Sequence, residues 1–364
     1  MWFLIYAFPL IVFSLQAERV DHMKIVEDFP QWLDGSLVRE WIDADSLPAG
    51  KFYVNGKEAT KSNFIDNRNL ESIKDKVEVL FGWTTKRTSM KMYPTDVRIH
   101  SKNRDIDYNQ YTLLEPFTFL AIVHVSKDGE WFYAHSPFMR GWVKKKDVKI
   151  VSKEELVKVG FLKFLIVKKS KVRVGDIEFG LGSKIPYVNV SNDVYHILLP
   201  DGSVGRVYAQ DAFSDGYEKY SEEKLSSILE SLLGEPYDWG GERGYRDCSA
   251  LVRDVFAVFG LELPRNSNQQ MQVGIKIKGE VKSYGELKET LKVLPPYRTL
   301  VFMKGHVMVY GGIKEDDIVF YHALYSIKKD SGEYYYAKRV VKSMLERDGL
   351  TNIYRRVVSI NLLP

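Results

Sequence analysis

The chain has 364 residues, of which 45% are hydrophobic and 27% charged, and this composition excludes a disordered or fibrous protein. Its 52 Lys and Arg residues against 48 Asp and Glu residues give a formal charge of +4, which is too small over this length to indicate nucleic-acid or membrane-surface binding. A single cysteine excludes an intramolecular disulfide and any cysteine-rich zinc or iron–sulfur site. The length suits roughly two to four domains.

The amino-terminal end predicts export. Residues 1–16 carry no charged side chain, and their apolar run is shorter than the roughly 17–25 residues of a bilayer-spanning helix. Because the small residue Ala17 precedes a possible cleavage point, residues 1–17 are typical of a secretory signal peptide. A buried amino-terminal segment is the alternative, since no Lys or Arg precedes the apolar run. We therefore expect an exported protein, periplasmic, envelope-associated or secreted.

The middle of the chain predicts short strands. Residues 18–88 mix helical spacing with aromatic residues and show no recognisable chemistry. From about residue 93 to 150, short apolar runs are broken by Lys127-Asp128-Gly129, a hairpin signal. A second β-like block, about 163–212, repeats this style. Frequent turn signals favour two small barrels, although one larger β-domain is an open alternative.

The last region, about 219–364, predicts an α+β domain. An amphipathic helix is indicated by apolar residues at helical spacing, namely Leu225, Ile228, Leu229, Leu232 and Leu233. A second helix is predicted over 248–259, with Asp247 as its N-cap. Three strands should follow, at 299–302, 306–310 and 318–322. Gly311-Gly312 and the acidic residues 315–317 are expected to form the turn between the last two strands, and helices followed by paired strands are typical of α+β folds.

Cys248 is the candidate nucleophile. It begins a predicted helix, where unpaired backbone N–H groups and the helix dipole favour the thiolate and can hold an oxyanion. A thiolate attacks carbonyl carbons. The alternative is that Cys248 is one more apolar residue of a core helix, because cysteine is among the most buried residue types.

Two histidines are candidates for the base and its orienting partner. His306 opens one predicted strand and His322 ends the next, so an antiparallel hairpin could bring their imidazoles within hydrogen-bond reach. We expect His306 to accept the Cys248 proton and His322 to hold its tautomer. Both could equally be ordinary strand histidines. The remaining histidines show no ligand spacing, so we expect neither a metal nor a cofactor: His22, His100, His124, His135 and His196.

The stretch PYDWGGERGYRDCSALVRDVFAVFGLELPRNSNQQ resembles the nucleophile segment of the NlpC-type cell-wall peptidases, a papain-like cysteine endopeptidase family. The residues that carry the resemblance are Tyr237, Trp239, Gly240, Gly241, Asp247, Cys248, Ser249, Leu263, Pro264 and Arg265. GHVMVYGG and YHALYS are similar to the strands of that family's histidine and third catalytic residue. Ala250 departs from the pattern, because the family usually has glycine there.

The region upstream of this domain is similar to bacterial SH3-like domains. The similarity rests on Gly129-Glu130-Trp131 and Gly141-Trp142-Val143 and, in the second block, on FGLGSKIPYV. The resemblance implies a multidomain α+β protein. We expect an N-terminal clip segment (18–88), two small SH3-like β-barrels (89–153 and 154–213) and a C-terminal papain-like α+β catalytic domain (219–364).

This arrangement implies a γ-D-glutamyl-L-diamino acid endopeptidase that cuts peptidoglycan stem peptides. By resemblance, Cys248 attacks the γ-amide carbonyl and forms a thioester, His306 acts as base and then acid, and His322 orients it. The resemblance also implies that Tyr237 places its hydroxyl near the thiol and helps to bind the oxyanion.

The resemblance further implies recognition of a free L-Ala amine. Asp247 and Ser249 flank the cysteine and would bind this ammonium, a role suited to a carboxylate and a hydroxyl; Asp247 can serve as N-cap as well. Tyr133, on the first predicted SH3-like domain, is expected to add a wall to that pocket. An ordinary strand aromatic is the alternative for Tyr133.

The expected partners are peptidoglycan stem peptides or muropeptides, acted on by a monomer without nucleic acid or a specific protein partner. Two other functions stay open. One is a non-catalytic peptidoglycan-binding protein with an unused carboxy-terminal region. The other is a papain-like amidase or acyltransferase that uses the same three catalytic residues.

Overall fold

The structure is a computed structural model that describes residues 23–47, 50–59, 64, 66–208 and 211–364. The signal peptide expected over residues 1–17 therefore lies outside the described residues. No helix among the described residues combines the length and apolar character needed to cross a membrane.

The N-terminal segment (23–79) is a set of short elements that packs on the strands after it. Its main helix is capped by Asp34, whose carboxylate accepts a hydrogen bond from the Ser36 N–H at 2.7 Å. Val38 and Ile42 of that helix are fully buried in a core shared with the following strands, so the segment is part of the folded body. Its helices and strands are Lys24–Asp28, Trp32–Asp34, Gly35–Ala44, Tyr53–Val54, Lys57–Glu58, Asp66–Arg68, Leu70–Ser72 and Lys76–Glu78.

The first β-unit (80–151) is one antiparallel sheet. In spatial order its strands are Val148–Val151, Leu80–Thr84, Phe119–Val125, Trp131–His135, Arg140–Lys144, Thr88–Lys91 and Gln110–Leu114. The hairpin signal at 127–129 lies between two of these strands, where Gly129 takes the left-handed φ of 73° that the turn requires. The sheet begins at Leu80, before the boundary at residue 89 expected from the sequence, because Phe81 and Trp83 of this first strand are buried in the core.

The second β-unit (164–215) follows a helix at Lys153–Gly160. Its sheet has the spatial order Val204–Tyr208, Val194–Leu198, Lys184–Ser191, Phe164–Val167 and Phe213–Asp215. A separate hairpin pairs Lys171–Val174 with Ile177–Gly180. Two distinct sheets, rather than one continuous sheet, thus precede the carboxy-terminal region.

The C-terminal unit (222–362) confirms the α+β fold predicted for it. Its helices are Glu222–Ser231, Cys248–Ala257, Ser267–Gln270 and Tyr284–Lys292. Its sheet has the spatial order Ile275–Lys278, Val357–Leu362, Thr299–Met303, His306–Lys314, Asp317–Leu324 and Arg339–Met344. A small hairpin of Ile327–Lys328 and Tyr334–Tyr335 extends from one side.

The turn between the two histidine-bearing strands lies at the predicted acidic residues, but the predicted glycine pair is not part of it. The first strand continues through Gly311, and the chain reverses at Glu315 and Asp316, both with left-handed φ angles (52° and 62°). Gly311 instead serves close packing, because a Cβ there would lie 2.6 Å from the Tyr321 ring. A glycine pair alone does not distinguish a turn from a close contact.

Buried arginines join the three units. Arg87 of the first β-unit donates to Glu178 Oε1 at 2.7 Å and to the Gly244 carbonyl at 3.2 Å. Arg246 of the C-terminal unit donates to the Ser170 hydroxyl and carbonyl at 3.0 Å each. The β-units are therefore fixed against the C-terminal unit near the segment that precedes Cys248.

Candidate active site

Cys248 is the first residue of the helix Cys248–Ala257, as predicted. Asp247 caps this helix by accepting a hydrogen bond from the Ala250 N–H at 2.9 Å. The apolar face with Leu251 and Val255 belongs to the cluster that packs the helix against the two histidine-bearing strands. Packing on one side and capping at the end together hold the thiol at a defined place.

The thiol lies at the turn that leads into the first histidine strand. Cys248 Sγ is 4.0 Å from the Gly305 carbonyl oxygen, and the Val307 N–H donates toward the sulfur. These contacts involve the residues on either side of His306. The helix and the sheet thus place the Cys248 sulfur beside the backbone on both sides of His306.

The two histidines are hydrogen-bonded to each other. His306 Nε2 and His322 Nδ1 are 2.8 Å apart, and His322 Nε2 is 2.9 Å from the Ser343 hydroxyl on the neighbouring strand. His322 is fully buried. If His322 donates to Ser343 and accepts from His306, the Nδ1 of His306 keeps a lone pair to accept a proton from the thiol.

Burial sets the charges of these groups. Burial first and the Asp247 carboxylate second raise the pKa of the Cys248 thiol to about 12. Burial also lowers the pKa of His306 to about 4 and that of His322 well below its usual value. Burial thus favours a neutral thiol beside neutral imidazoles, in the opposite direction to the thiolate that the helix terminus favours.

Asp247 is enclosed in a buried network centred on Arg265. The guanidinium donates to Asp247 Oδ1 at 3.0 Å and Oδ2 at 2.5 Å, and to the Ser249 hydroxyl at 2.9 Å. Its Nε donates to Thr112 Oγ1 of the first β-unit at 2.8 Å. The Gly240 N–H adds a bond to Asp247 Oδ2 at 3.1 Å. The first β-unit therefore contributes directly to the surroundings of the nucleophile.

The arginine keeps this carboxylate ionised. Burial alone would raise the pKa of Asp247, but the adjacent Arg265 guanidinium and the bonds it donates lower it. Ser249 also donates to Asp247 Oδ1 at 3.2 Å. The result is a paired, fully hydrogen-bonded charge next to Cys248, which is the arrangement a buried ion pair requires.

Tyr237 packs against the hydrophobic cluster that contains Cys248. Burial and then the neighbouring Cys248 raise the pKa of the Tyr237 hydroxyl, so this hydroxyl stays protonated and can donate a hydrogen bond. Its ring also meets the ring of Tyr325 edge to face, with centroids 5.6 Å apart. The structure thus brings Tyr237 to the nucleophile.

Tyr133 is placed elsewhere. Its side chain is fully buried, and its hydroxyl donates to Asp45 Oδ2 at 2.8 Å and to the Trp41 carbonyl at 3.1 Å. A side chain with no exposed surface cannot form a wall that is open to substrate. The predicted pocket role of Tyr133 is therefore wrong, and the residue joins the first β-unit to the N-terminal segment.

Sequence reasoning missed three residues of this site. The sequence motif includes Arg265 but does not indicate its ion pair with Asp247. Thr112 belongs to the first β-unit, and Ser343 lies on a strand that the sequence analysis did not predict. Among the described residues, no group of three or more histidine, cysteine, aspartate or glutamate side chains could hold a metal ion.

Two family models match the chain. The NlpC/P60 family matches residues 234–344, and an SH3 domain of the SH3b1 type matches residues 95–144. The γ-D-glutamyl-L-lysine dipeptidyl-peptidase of Bacillus cereus is 24% identical over 116 residues, covering 30% of this chain and 35% of that protein. A probable endopeptidase NlpC homologue of Haemophilus influenzae is 44% identical over 62 residues, covering 16% and 33%. The matched segments thus span about a third of these curated relatives.

Two solved structures share the fold over most of the chain. An NlpC/P60 endopeptidase from Photobacterium damselae subsp. piscicida aligns with a TM-score of 0.66 and 19% identity, over 93% of this chain and 84% of that one. An NlpC/P60 family protein from Bacillus cereus aligns with a TM-score of 0.59 and 16% identity, over 78% and 100%. At this identity the likeness concerns the fold.

Proposed function

Because the chain carries an SH3 domain followed by an NlpC/P60 family domain, we propose that it is a cysteine endopeptidase that acts on peptidoglycan. Its substrate is the γ-D-glutamyl-L-diamino acid bond of a stem peptide or muropeptide. The B. cereus relative is named for a γ-D-glutamyl-L-lysine bond, which supports this choice of bond. Cys248, His306 and His322 are its catalytic residues.

The observation that carries the proposal is the arrangement of the thiol and the two imidazoles. The Cys248 sulfur lies 4.0 Å from the carbonyl oxygen of Gly305, the residue before His306. His306 Nε2 is 2.8 Å from His322 Nδ1. A nucleophile, a base and a group that orients the base are the components of acyl transfer. A non-catalytic wall-binding protein has no need of this arrangement.

Acylation begins from neutral groups. The Nδ1 of His306 accepts the Cys248 proton as the sulfur attacks the γ-amide carbonyl carbon, so that charge develops only along the reaction path. The backbone N–H at the start of the helix and the Tyr237 hydroxyl donate to the oxyanion. The C–N bond then breaks, the imidazolium returns the proton to the leaving amine, and a thioester remains on Cys248.

Deacylation uses the same residues in reverse order. Water attacks the thioester carbonyl while His306 accepts one of its protons. Collapse of the second tetrahedral intermediate breaks the C–S bond, and the imidazolium returns the proton to sulfur. The products are the free γ-carboxyl of D-Glu and the amine of the diamino acid, with Cys248 regenerated.

Asp247 and Ser249 bind the free amine of the L-Ala residue that precedes D-Glu. Both lie next to Cys248, and Arg265 keeps the Asp247 carboxylate ionised. The Asp247 carboxylate has one cationic partner, the Arg265 guanidinium, and the L-Ala ammonium would be the second. The Ser249 hydroxyl oxygen offers the ammonium a further acceptor. This network is buried around Cys248, which suits a short peptide end and not an extended chain.

Product analysis tests this function. Purified protein is incubated with L-Ala-γ-D-Glu-diaminopimelate, and the products are identified by mass spectrometry. We expect L-Ala-D-Glu and free diaminopimelate in equal amounts. Release of ammonia, transfer of the acyl group to another amine, or intact peptide after prolonged incubation would contradict the proposed hydrolysis.

Blocking the L-Ala amine is expected to slow cleavage. Acetylation removes the ammonium that Asp247 and Ser249 bind, so kcat/KM should fall roughly 100-fold, the scale of losing one partner of a buried charge pair. Rates are compared for acetylated and free L-Ala-γ-D-Glu-diaminopimelate under the same conditions. Equal rates would show that the amine is not recognised.

The pH dependence follows from the neutral resting site. Because burial lowers the pKa of His306 to about 4, the imidazole remains a base from neutral pH down to that value and is lost as a base below it. We expect kcat/KM to stay level between pH 7 and 5 and to halve near pH 4, with circular dichroism as the control for unfolding. A half-loss near pH 6.5, the value of an ordinary histidine, would contradict this.

The proposed site of action is the cell envelope or its exterior. Peptidoglycan lies there, and the apolar residues 1–16 are consistent with export. A fusion of residues 1–22 to a reporter enzyme tests this directly, since export requires that the reporter reach the far side of the membrane.

A further inference from the structure

A row of four tyrosines leads from the nucleophile to the surface. Tyr237, which packs against the hydrophobic cluster that contains Cys248, contacts the Tyr325 ring at 5.6 Å between centroids. The ring centroids of Tyr325 and Tyr336 are 6.3 Å apart, and those of Tyr336 and Tyr334 are 6.2 Å apart. We call these four residues the tyrosine row.

The outer end of the row is open to solvent. Tyr334 is 62% exposed and Tyr336 is 58% exposed, although large aromatic side chains usually bury most of their area. They lie in and beside the small hairpin Ile327–Lys328 and Tyr334–Tyr335. Tyr237 and Tyr325 are partly buried, so the row runs from half-buried rings near the nucleophile to two exposed rings, and exposed aromatic rings of this kind are typical of a binding surface.

The inner part of the row is held in place by the first β-unit. The Tyr325 hydroxyl donates to Asp105 Oδ2 and accepts from Asn103 Nδ2, both at 2.9 Å. Lys338 donates to the same Asp105 oxygen at 2.6 Å and lies over the Tyr325 ring, 5.5 Å from its centroid. Asp105 and Lys338 thus place one carboxylate and one ammonium beside the row.

The other side of the nucleophile is occupied by the buried polar network described above. Asp247, Ser249 and Arg265 are buried and bonded to one another, and Thr112 completes their contacts. The ring contacts of the tyrosine row run from this region to the exposed Tyr336 and Tyr334, and the remaining residues of a peptide whose amino end is bound at Asp247 can follow them.

We infer that the tyrosine row binds the leaving part of the stem peptide, which is the diamino acid and the D-Ala residues after it; this inference rests on the proposed function. Tyrosine faces attract an ammonium group and cover the methyl groups of alanine. The Asp105–Lys338 ion pair is about half exposed, so the ammonium and carboxylate of a diaminopimelate side chain can bind to its two outer faces. Tyr325, Tyr334 and Tyr336 would therefore determine how tightly longer peptides bind, whereas Tyr237 at the inner end of the row keeps its role at the oxyanion.

The test removes the exposed end of the row. We expect Tyr334→Ala/Tyr336→Ala to raise KM for L-Ala-γ-D-Glu-diaminopimelyl-D-Ala about tenfold, as the loss of two exposed ring contacts predicts, with kcat within about twofold of the wild type. The matched control is Tyr208→Ala, since Tyr208 is a 65% exposed tyrosine of the second β-unit. This control should leave both constants unchanged.

A binding measurement separates this inference from the proposed function. In a Cys248→Ala background, the Kd of the same tetrapeptide should rise about tenfold with the double substitution, whereas the Kd of L-Ala-D-Glu should not change. If the wild type cleaves no stem peptide, the proposed function fails, and the two Kd values still decide the role of the row.

Two results would overturn the inference. One is an unchanged Kd and KM for the tetrapeptide in the double variant. The other is a larger loss for the disaccharide-linked tetrapeptide than for the free one, which would assign the row to the glycan. Thermal unfolding of each variant checks that the hairpin substitutions leave the fold intact.

Discussion

Replacing Cys248 by alanine is expected to lower the rate of stem-peptide hydrolysis by a factor of roughly 10⁴ or more. The change removes the sulfur that forms the thioester and little volume from the helix terminus. Hydrolysis is measured by mass spectrometry on L-Ala-γ-D-Glu-diaminopimelate, and the melting temperature is measured in parallel. The melting temperature should remain within a few degrees of the wild-type value.

The control for this prediction is a second substitution in the same catalytic unit. His306 contributes to the rate only by activating the Cys248 thiol, so its removal has no further effect once the thiol is gone. The variant Cys248→Ala/His306→Ala should therefore be no slower than Cys248→Ala alone. His306→Ala by itself should come close to the same low rate. Wild-type hydrolysis by the Cys248→Ala variant would end the assignment of the nucleophile.

Arg265→Met is expected to destabilise the protein strongly. The substitution leaves the Asp247 carboxylate buried without its counter-charge, and breaking one partner of a buried pair typically costs about 3–5 kcal/mol. It also removes the donor to Thr112 and thus a link to the first β-unit. Urea denaturation, followed by circular dichroism, measures the free energy of unfolding.

Two variants make this result specific. Adding Asp247→Asn removes the stranded charge, so the double variant should regain a substantial part of the lost free energy of unfolding. Arg347→Met replaces an exposed arginine and should change stability by no more than about 0.5 kcal/mol. A loss of under about 1 kcal/mol for Arg265→Met would contradict the importance of the buried pair.

Local patterns were enough to predict where Cys248, His306 and His322 lie, whereas the choice of a catalytic role over an ordinary core role came from the resemblance to the NlpC-type peptidases. The placement of Cys248 at a helix start follows from Asp247 and the apolar spacing after it, and both are properties of a short stretch. The approach of His306 and His322 follows from the geometry of neighbouring antiparallel strands. Neither prediction required knowledge of the remaining domains.

The features that could not be predicted depend on contacts between distant segments. The pKa of Cys248 depends first on its burial in the folded chain, which raises it, whereas the helix terminus is a local effect that lowers it. Thr112 reaches Arg265 across 153 positions of sequence, and no pattern near either residue indicates this. Tyr133 lies on a strand as expected, but its side chain is on the face of the sheet that the N-terminal segment covers. The sequence does not indicate which face is covered.

The position of the strand Gln110–Leu114 has a consequence for how such proteins can be assembled. Gln110 donates to the Gly240 carbonyl at 3.0 Å, and Thr112, two residues along, accepts from Arg265 at 2.8 Å. An accessory module that supplies atoms to the neighbourhood of the sulfur cannot be exchanged for an unrelated module as an independent tether would be. If the first β-unit were transferred to another protein during evolution, the C-terminal surface that contacts the strand Gln110–Leu114 would have to be transferred with it.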